Sequence, residues 1–200
     1  RYLNERVKEE IGRDLSYAFY DVTNYFFDID FPNCEDDLRK KGVSKEHRVD
    51  PIVAMGLFMD SNGLPISMSI FPDNTSDSIT LQPVMRDIKE SYSLGRLVVV
   101  ADKGLNSSAN IDMIINNGDG YVFSQILKGK KGQRYHDKLF DESGWVCNQD
   151  GTYKYKLFEE EYEGKNKDGR KETRRRKVLL YWSNTEADTA RLKREEKLKK

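Results

Sequence analysis

Histidine and cysteine are almost missing from this chain: its 200 residues hold two of each. Cys34 and Cys147 stand far apart and form no C-x-x-C pair. That excludes a zinc motif or disulfide framework legible in the sequence. With His47 and His136 the only imidazoles, a histidine-rich zinc centre is disfavoured as well. No apolar run approaches the ~18 residues of a membrane-spanning helix, and no signal peptide opens the chain. No G-x-S-x-G elbow and no internal repeat is visible. These absences lead us to expect a soluble, cytoplasmic chain with no membrane partner. It begins at Arg1 and ends in a run of charges, so we expect it to be a piece of something larger.

Net charge is also missing, but only in the sum: 34 Lys and Arg balance 34 Asp and Glu. Residues 164–200 carry 14 basic and 6 acidic residues, a balance of +8, and residues 1–163 carry −8. An acidic body with a basic end section suits a protein that holds a cation in one place and touches phosphate in another. A solvated tail is the plainer alternative. What the chain does have is aromatic area: 9 Phe, 11 Tyr and 2 Trp are enough for a core.

Periodicity divides the chain into elements. Residues 1–14 look helical. SYAFYDVTNYFF (16–27) is rich in aromatic and β-branched residues and predicts a strand. Residues 28–48 predict a loop. DPIVAMGLFMD (50–60) and LPISMSIFP (64–72) flank the turn SNG and predict a hairpin. DNTSDS (73–78) offers N-caps for a helix over 79–92, with Pro83 within about its first turn. RLVVVAD (96–102) predicts a buried strand, 106–117 a helix capped by Asn106 or Ser107 and closed by Gly118, and 121–127 another strand. Beyond Lys128 the chain turns basic and glycine-rich. A hairpin is expected from 153–162 and 174–183 across GKNKDG, then a charged helix capped by Thr185. Trp145 and Trp182 are expected in the core.

Two acids break these patterns. Asp is depleted in strand interiors because an unpaired buried carboxylate is costly, yet Asp21 sits in mid-strand between aromatics. Period-two alternation puts it on one face with Tyr17, Phe19 and Thr23. Asp102 ends the buried run LVVVA. Alone, Asp102 fits a turn or cap residue, and Asp21 fits a buried Asp–Arg pair. Together they fit an all-oxygen site for Mg²⁺ or Mn²⁺. Two such ions ~3.5–4 Å apart can clamp the attacking and leaving oxygens of a phosphoryl displacement.

The blocks YDVTNYFFD, GVSKEHRVDPIVAMGLFMDSNGLPI, FPDNTSDSITLQPV and VVVADKGLNSSANI occur in that order. They resemble the catalytic core of bacterial insertion-sequence transposases of the DDE (Asp-Asp-Glu) type, closely over 16–127. The resemblance implies an α/β, RNase H-like fold shared with retroviral integrases. It has a mixed five-stranded sheet, three antiparallel strands followed by two parallel strands with helices. Residues 1–15 are expected to be the end of a preceding segment; the resemblance implies a catalytic core over 16–127 and a β-rich insertion over 128–183. A charged helical segment, 184–200, would lead to a further C-terminal part.

Asp21 and Asp102 match the first two catalytic, metal-holding acids. The third, a glutamate within a Y-x-x-R-x-x-x-E spacing, is not found in 128–200, and neither Glu195 nor Glu196 is nominated. The fragment is therefore expected to be inactive alone. The implied chemistry is metal-dependent DNA strand cleavage and strand transfer, by a homodimer on transposon ends and target DNA at the bacterial nucleoid. A degenerate RNase H-like domain that binds nucleic acid without cutting, and a nuclease on the same fold, are the alternatives.

Further residues carry dual readings. Thr23 can orient Asp21 or bond across strands. Lys103, His47 and Arg48 can meet DNA phosphate or simply lie at the surface. Asn74 and Asp77 support the site or cap the helix after them. Arg174, Arg175 and Arg176 make a DNA-facing hairpin or a solvated one.

Overall fold

The computed structural model describes residues 2–27, 38–39, 51–72, 75–92, 94–127 and 129–199. The expected loop over 28–48 lies almost wholly outside the described residues. The chain divides into two compact units, Arg1–Gln125 and Ile126–Lys200.

The first unit opens with helix α1 (Tyr2–Glu10) and contains strands β1 (Ala18–Phe26), β2 (Ile52–Met59) and β3 (Pro65–Pro72). Helix α2 (Asp77–Tyr92) follows, then β4 (Val98–Ala101), a 3-10 turn (Lys103–Leu105), α3 (Ser108–Asn116) and β5 (Gly120–Phe123). The sheet order is β3-β2-β1-β4-β5. β1 pairs antiparallel with β2 and parallel with β4; β2–β3 is antiparallel and β4–β5 parallel. This is the mixed α/β, RNase H-like sheet that the resemblance implied.

Local chemistry explains the elements. The β2–β3 turn is held by buried Asp60, which accepts from the amides of Asn62 (3.0 Å) and Leu64 (2.9 Å). Arg13 pairs with its other oxygen at 3.1 Å. Ser107 caps α3 by accepting from the Asn110 amide, and Gly118 closes it at φ 80, where a side chain would be strained. Pro83 falls in the second turn of α2, not the first, because the helix starts early, at Asp77. α2 packs on one sheet face, where Ala18, Tyr20, Val22, Phe58, Val99 and Ala101 join Leu81, Val84, Met85 and Ile88 in the core.

The second unit holds short helices α4 (Lys130–Gln133) and α5 (His136–Phe140), β6 (Val146–Cys147), β7 (Tyr153–Lys165), β8 (Lys171–Ser183) and α6 (Asn184–Leu198). The two short helices were not foreseen. β7 and β8 form a long antiparallel hairpin, in register from Tyr153↔Ser183 to Lys165↔Lys171. One face packs on α4 and α5: the Tyr135 ring lies 6.2 Å from that of Phe158, and Lys156 donates to the carbonyls of Lys138 (3.0 Å) and Asp141 (2.8 Å). Ser183, not Thr185, caps α6 by accepting from the Glu186 amide. Neither tryptophan is a core residue: Trp145 is half-buried and Trp182 exposed, with the Lys154 ammonium 4.8 and 5.4 Å from their ring centroids.

Candidate active site

Strand pairing brings the two singled-out acids together. On β1, Ala18, Tyr20 and Val22 point into the core, while Phe19, Asp21 and Thr23 are exposed on the opposite face. β1 lies beside β4 with Ala18↔Val99, Phe19↔Val100 and Tyr20↔Ala101. The next residue on each strand is an aspartate. Asp102 keeps extended backbone (φ −71, ψ 169), so the alternation of β4 continues through it. Val99 and Ala101 are buried, and Asp102 therefore emerges on the exposed face, as Asp21 does. Neighbouring strands run ~4.8 Å apart, so the register carries Asp21 and Asp102 to adjacent positions at one end of the β1–β4 pair.

Asp102 fills the cap role as well. Its Oδ1 accepts from the Lys103 amide and starts the 3-10 turn. Neither Asp21 nor Asp102 has a basic ion-pair partner among the described residues, so the Asp–Arg pair that would explain Asp21 structurally does not occur there. The donor set fits a hard divalent cation: exposed carboxylate oxygens on adjacent strands, open to solvent for water ligands. No group of three or more His, Cys, Asp or Glu side chains comes together to hold a metal among the described residues.

The surroundings hold this corner in place. Thr23 lies two residues along from Asp21 on the same face, and Lys103 is exposed beside Asp102. Asp77 opens α2, where its charge complements the helix dipole. Its Oδ2 lies 3.3 Å from where a β carbon on Gly104 would sit, so the glycine lets α2 approach the turn closely. The Tyr20 hydroxyl donates to Thr80 Oγ1 (3.0 Å), which donates to the Asp77 carbonyl (2.8 Å). Burial pushes the Tyr20 phenol up to about 12; the Thr80 bond opposes this, and the charges of Asp77 and Asp21 add to it.

One supporting residue escaped the sequence reading. Asn110 is fully buried on α3 and its side-chain amide donates to the carbonyls of Ser78 (2.7 Å) and Leu105 (2.9 Å). It thereby ties the turn after Asp102 to the start of α2. Its signal was a lone amide on the apolar stripe with Ile111 and Ile114.

The remaining candidates fall elsewhere. His47, Arg48 and Asn74 lie outside the described residues. The three arginines are on β8, and each has a carboxylate: Arg174 pairs with Glu172, Arg175 with Glu161 at 3.3 Å, and Arg176 with Glu160 at 2.6 Å. The side chains of Arg174 and Arg176 are 9% and 17% exposed, that of Arg175 74%. The hairpin is thus not the bare cationic stripe its sequence suggests.

The fold and the paired acids can be set beside known proteins. A cryo-EM structure of the piggyBac transposase synaptic complex with hairpin DNA is similar at 10% identity and TM-score 0.43, covering 80% of this chain and 32% of that one. A Mos1 transposase paired-end complex with left transposon end is similar at 11% identity and TM-score 0.38, covering 71% and 52%. A pre-cleavage Mos1 transpososome gives 12% and 0.38, covering 60% and 39%. The chain spans about a third to a half of the length of these proteins. No curated protein matches it by sequence. The transposase DDE domain family matches residues 30–195, most of the chain and including Asp102, and the chain belongs to that family.

Proposed function

We propose that this chain is the core of a transposase that cuts DNA strands and transfers the freed ends to target DNA, as a homodimer on transposon ends. The observation that carries the reading is the register: the residues after paired Tyr20 and Ala101 are Asp21 and Asp102, on one exposed face. Both would hold a Mg²⁺ or Mn²⁺ ion. When bound, such an ion neutralises charge on the attacked phosphate and lowers the pKa of a bound water. The chain's own part is placement. Asp102 is held by its bond to the Lys103 amide, and Asn110 and Gly104 fix the turn behind it. Thr23 lines the same face, and Lys103 can meet a phosphate oxygen beside the acids.

A third acid has a natural seat. The open sheet face around Asp21 exposes Phe19 and Tyr25 of β1, Met68 and Ile70 of β3 and Val122 of β5, apolar residues from three strands. A helix laid there would cover it and carry a glutamate toward the two aspartates, in accord with the order the family resemblance implies.

The test is Mn²⁺ titration of the chain followed by paramagnetic broadening of its amide resonances. The amides around Asp21 and Asp102 are expected to broaden first, and Asp21→Asn or Asp102→Asn to weaken that site at least ~tenfold. Broadening that starts elsewhere, or survives both substitutions, would sink the assignment.

A further inference from the structure

The β7–β8 hairpin has one face covered and one face open. Alternation places Tyr153, Leu157, Glu159 and Glu161 of β7 on the open face with Arg175, Lys177, Leu179 and Tyr181 of β8. The apolar end of this face is exposed: Leu157 is 56% accessible, Leu179 59% and Tyr181 50%. The Tyr153 and Tyr181 rings meet at 6.4 Å and extend the patch. Further along, the two strands differ in sign. β7 presents Glu159 and Glu161; β8 presents Lys177 and Arg175 directly across from them.

We propose that this open face is an isologous contact between two copies of the chain, with the two-fold axis running along the hairpin. A two-fold in that direction lays β7 of one copy over β8 of the other at the same height. Leu157 then meets the partner copy's Leu179, Glu159 meets Lys177, and Glu161 meets Arg175, twice over by symmetry. The charge stripes are therefore self-complementary under this operation, and the leucines supply the apolar centre. The register also sets where the contact ends. Lys165 faces Lys171 at the hairpin tip, where the same operation would bring like charges together. A phosphate backbone fits this face poorly, because its centre is uncharged and acids line one strand. The proposal rests on the hairpin alone and not on the roles given to Asp21 and Asp102.

The experiment is sedimentation equilibrium of the chain without DNA at low salt. A monomer–dimer equilibrium is expected. Leu179→Asp, an outward-facing change that should leave the circular dichroism unaltered, is expected to raise the dimer dissociation constant at least ~tenfold. Glu159→Lys should raise it at least ~threefold by setting lysines against Lys177 of both copies, and adding Lys177→Glu should restore it to within ~threefold of the parent. A chain that stays monomeric at every concentration would overturn the proposal. So would a dimer indifferent to Leu179→Asp, or a charge swap that fails to recover.

Discussion

Gly56 shows how one missing side chain shapes this sheet. It lies on β2 opposite Val22, and the Tyr20 ring of β1 crosses over it. A β carbon there would collide with the Tyr20 hydroxyl and stand 2.9 and 3.0 Å from Cζ and Cε2. Tyr20 cannot move aside cheaply: it is buried against Phe58, with ring centroids 5.1 Å apart, and its hydroxyl is bound to Thr80. Gly56→Ala is therefore expected to destabilise the first unit by about 1–3 kcal/mol, the ordinary cost of overpacking a tight core. Urea unfolding would register it as a lower midpoint with an unchanged slope. Removing the hydroxyl relieves only the closest contact, so Tyr20→Phe should not rescue the alanine.

At the scale of elements, the hairpin of the second unit is pinned by a half-buried carboxylate. Glu160 accepts from the Tyr135 hydroxyl at 2.8 Å and from Arg176 Nε at 2.6 Å. Burial opposes its charge, but the Tyr135 bond, Arg176 and Arg134 outweigh burial and hold the carboxyl below its ordinary range. A carboxyl whose folded pKa is depressed stabilises the fold above its unfolded pKa, and that stability is lost as pH falls through the folded value. The hairpin should thus loosen from about pH 5 downward. Glu160→Gln should be less stable at neutral pH and lose this acid dependence, as read by amide exchange across β7 and β8 from neutral to acid pH. Identical pH profiles for both proteins would refute the role.

The pairing behind this network was available in the sequence. Pairing the strands expected over 153–162 and 174–183 end to end sets EEE at 159–161 against Arg175, Arg176 and Lys177, as found. The caps and short helices were harder. Thr185 and Ser183 are equally good caps by composition, and only the end of β8 chooses between them. Helices of four and five residues, such as α4 and α5, carry too little periodicity to announce themselves.

Over the whole molecule, patterning made the first unit legible. Alternation in 16–27, the SNG hairpin and the apolar run before Asp102 each predict the strand found there. Which strands become neighbours is not a local property, and it came from the family resemblance rather than from periodicity. The side-by-side placement of Asp21 and Asp102 therefore depends on β1–β4 pairing that no window of the sequence contains. The same distinction between units governs stability. The first unit buries a continuous cluster from Ala18 to Ile114, including Phe58, Met85 and Val99. In the second, the buried hydrophobics among the described residues are Tyr135 and Leu180. Its long hairpin instead relies on backbone bonds, ion pairs and rings that remain near solvent. Local opening should accordingly need less free energy in β7 and β8 than in β1, β2 and β4. Native-state hydrogen exchange is expected to show central-strand amides of the first unit at least ~100-fold more protected than those of the hairpin. Equal protection in both would mean that the ion pairs and rings of the hairpin match a buried core in strength, against the small worth of exposed pairs.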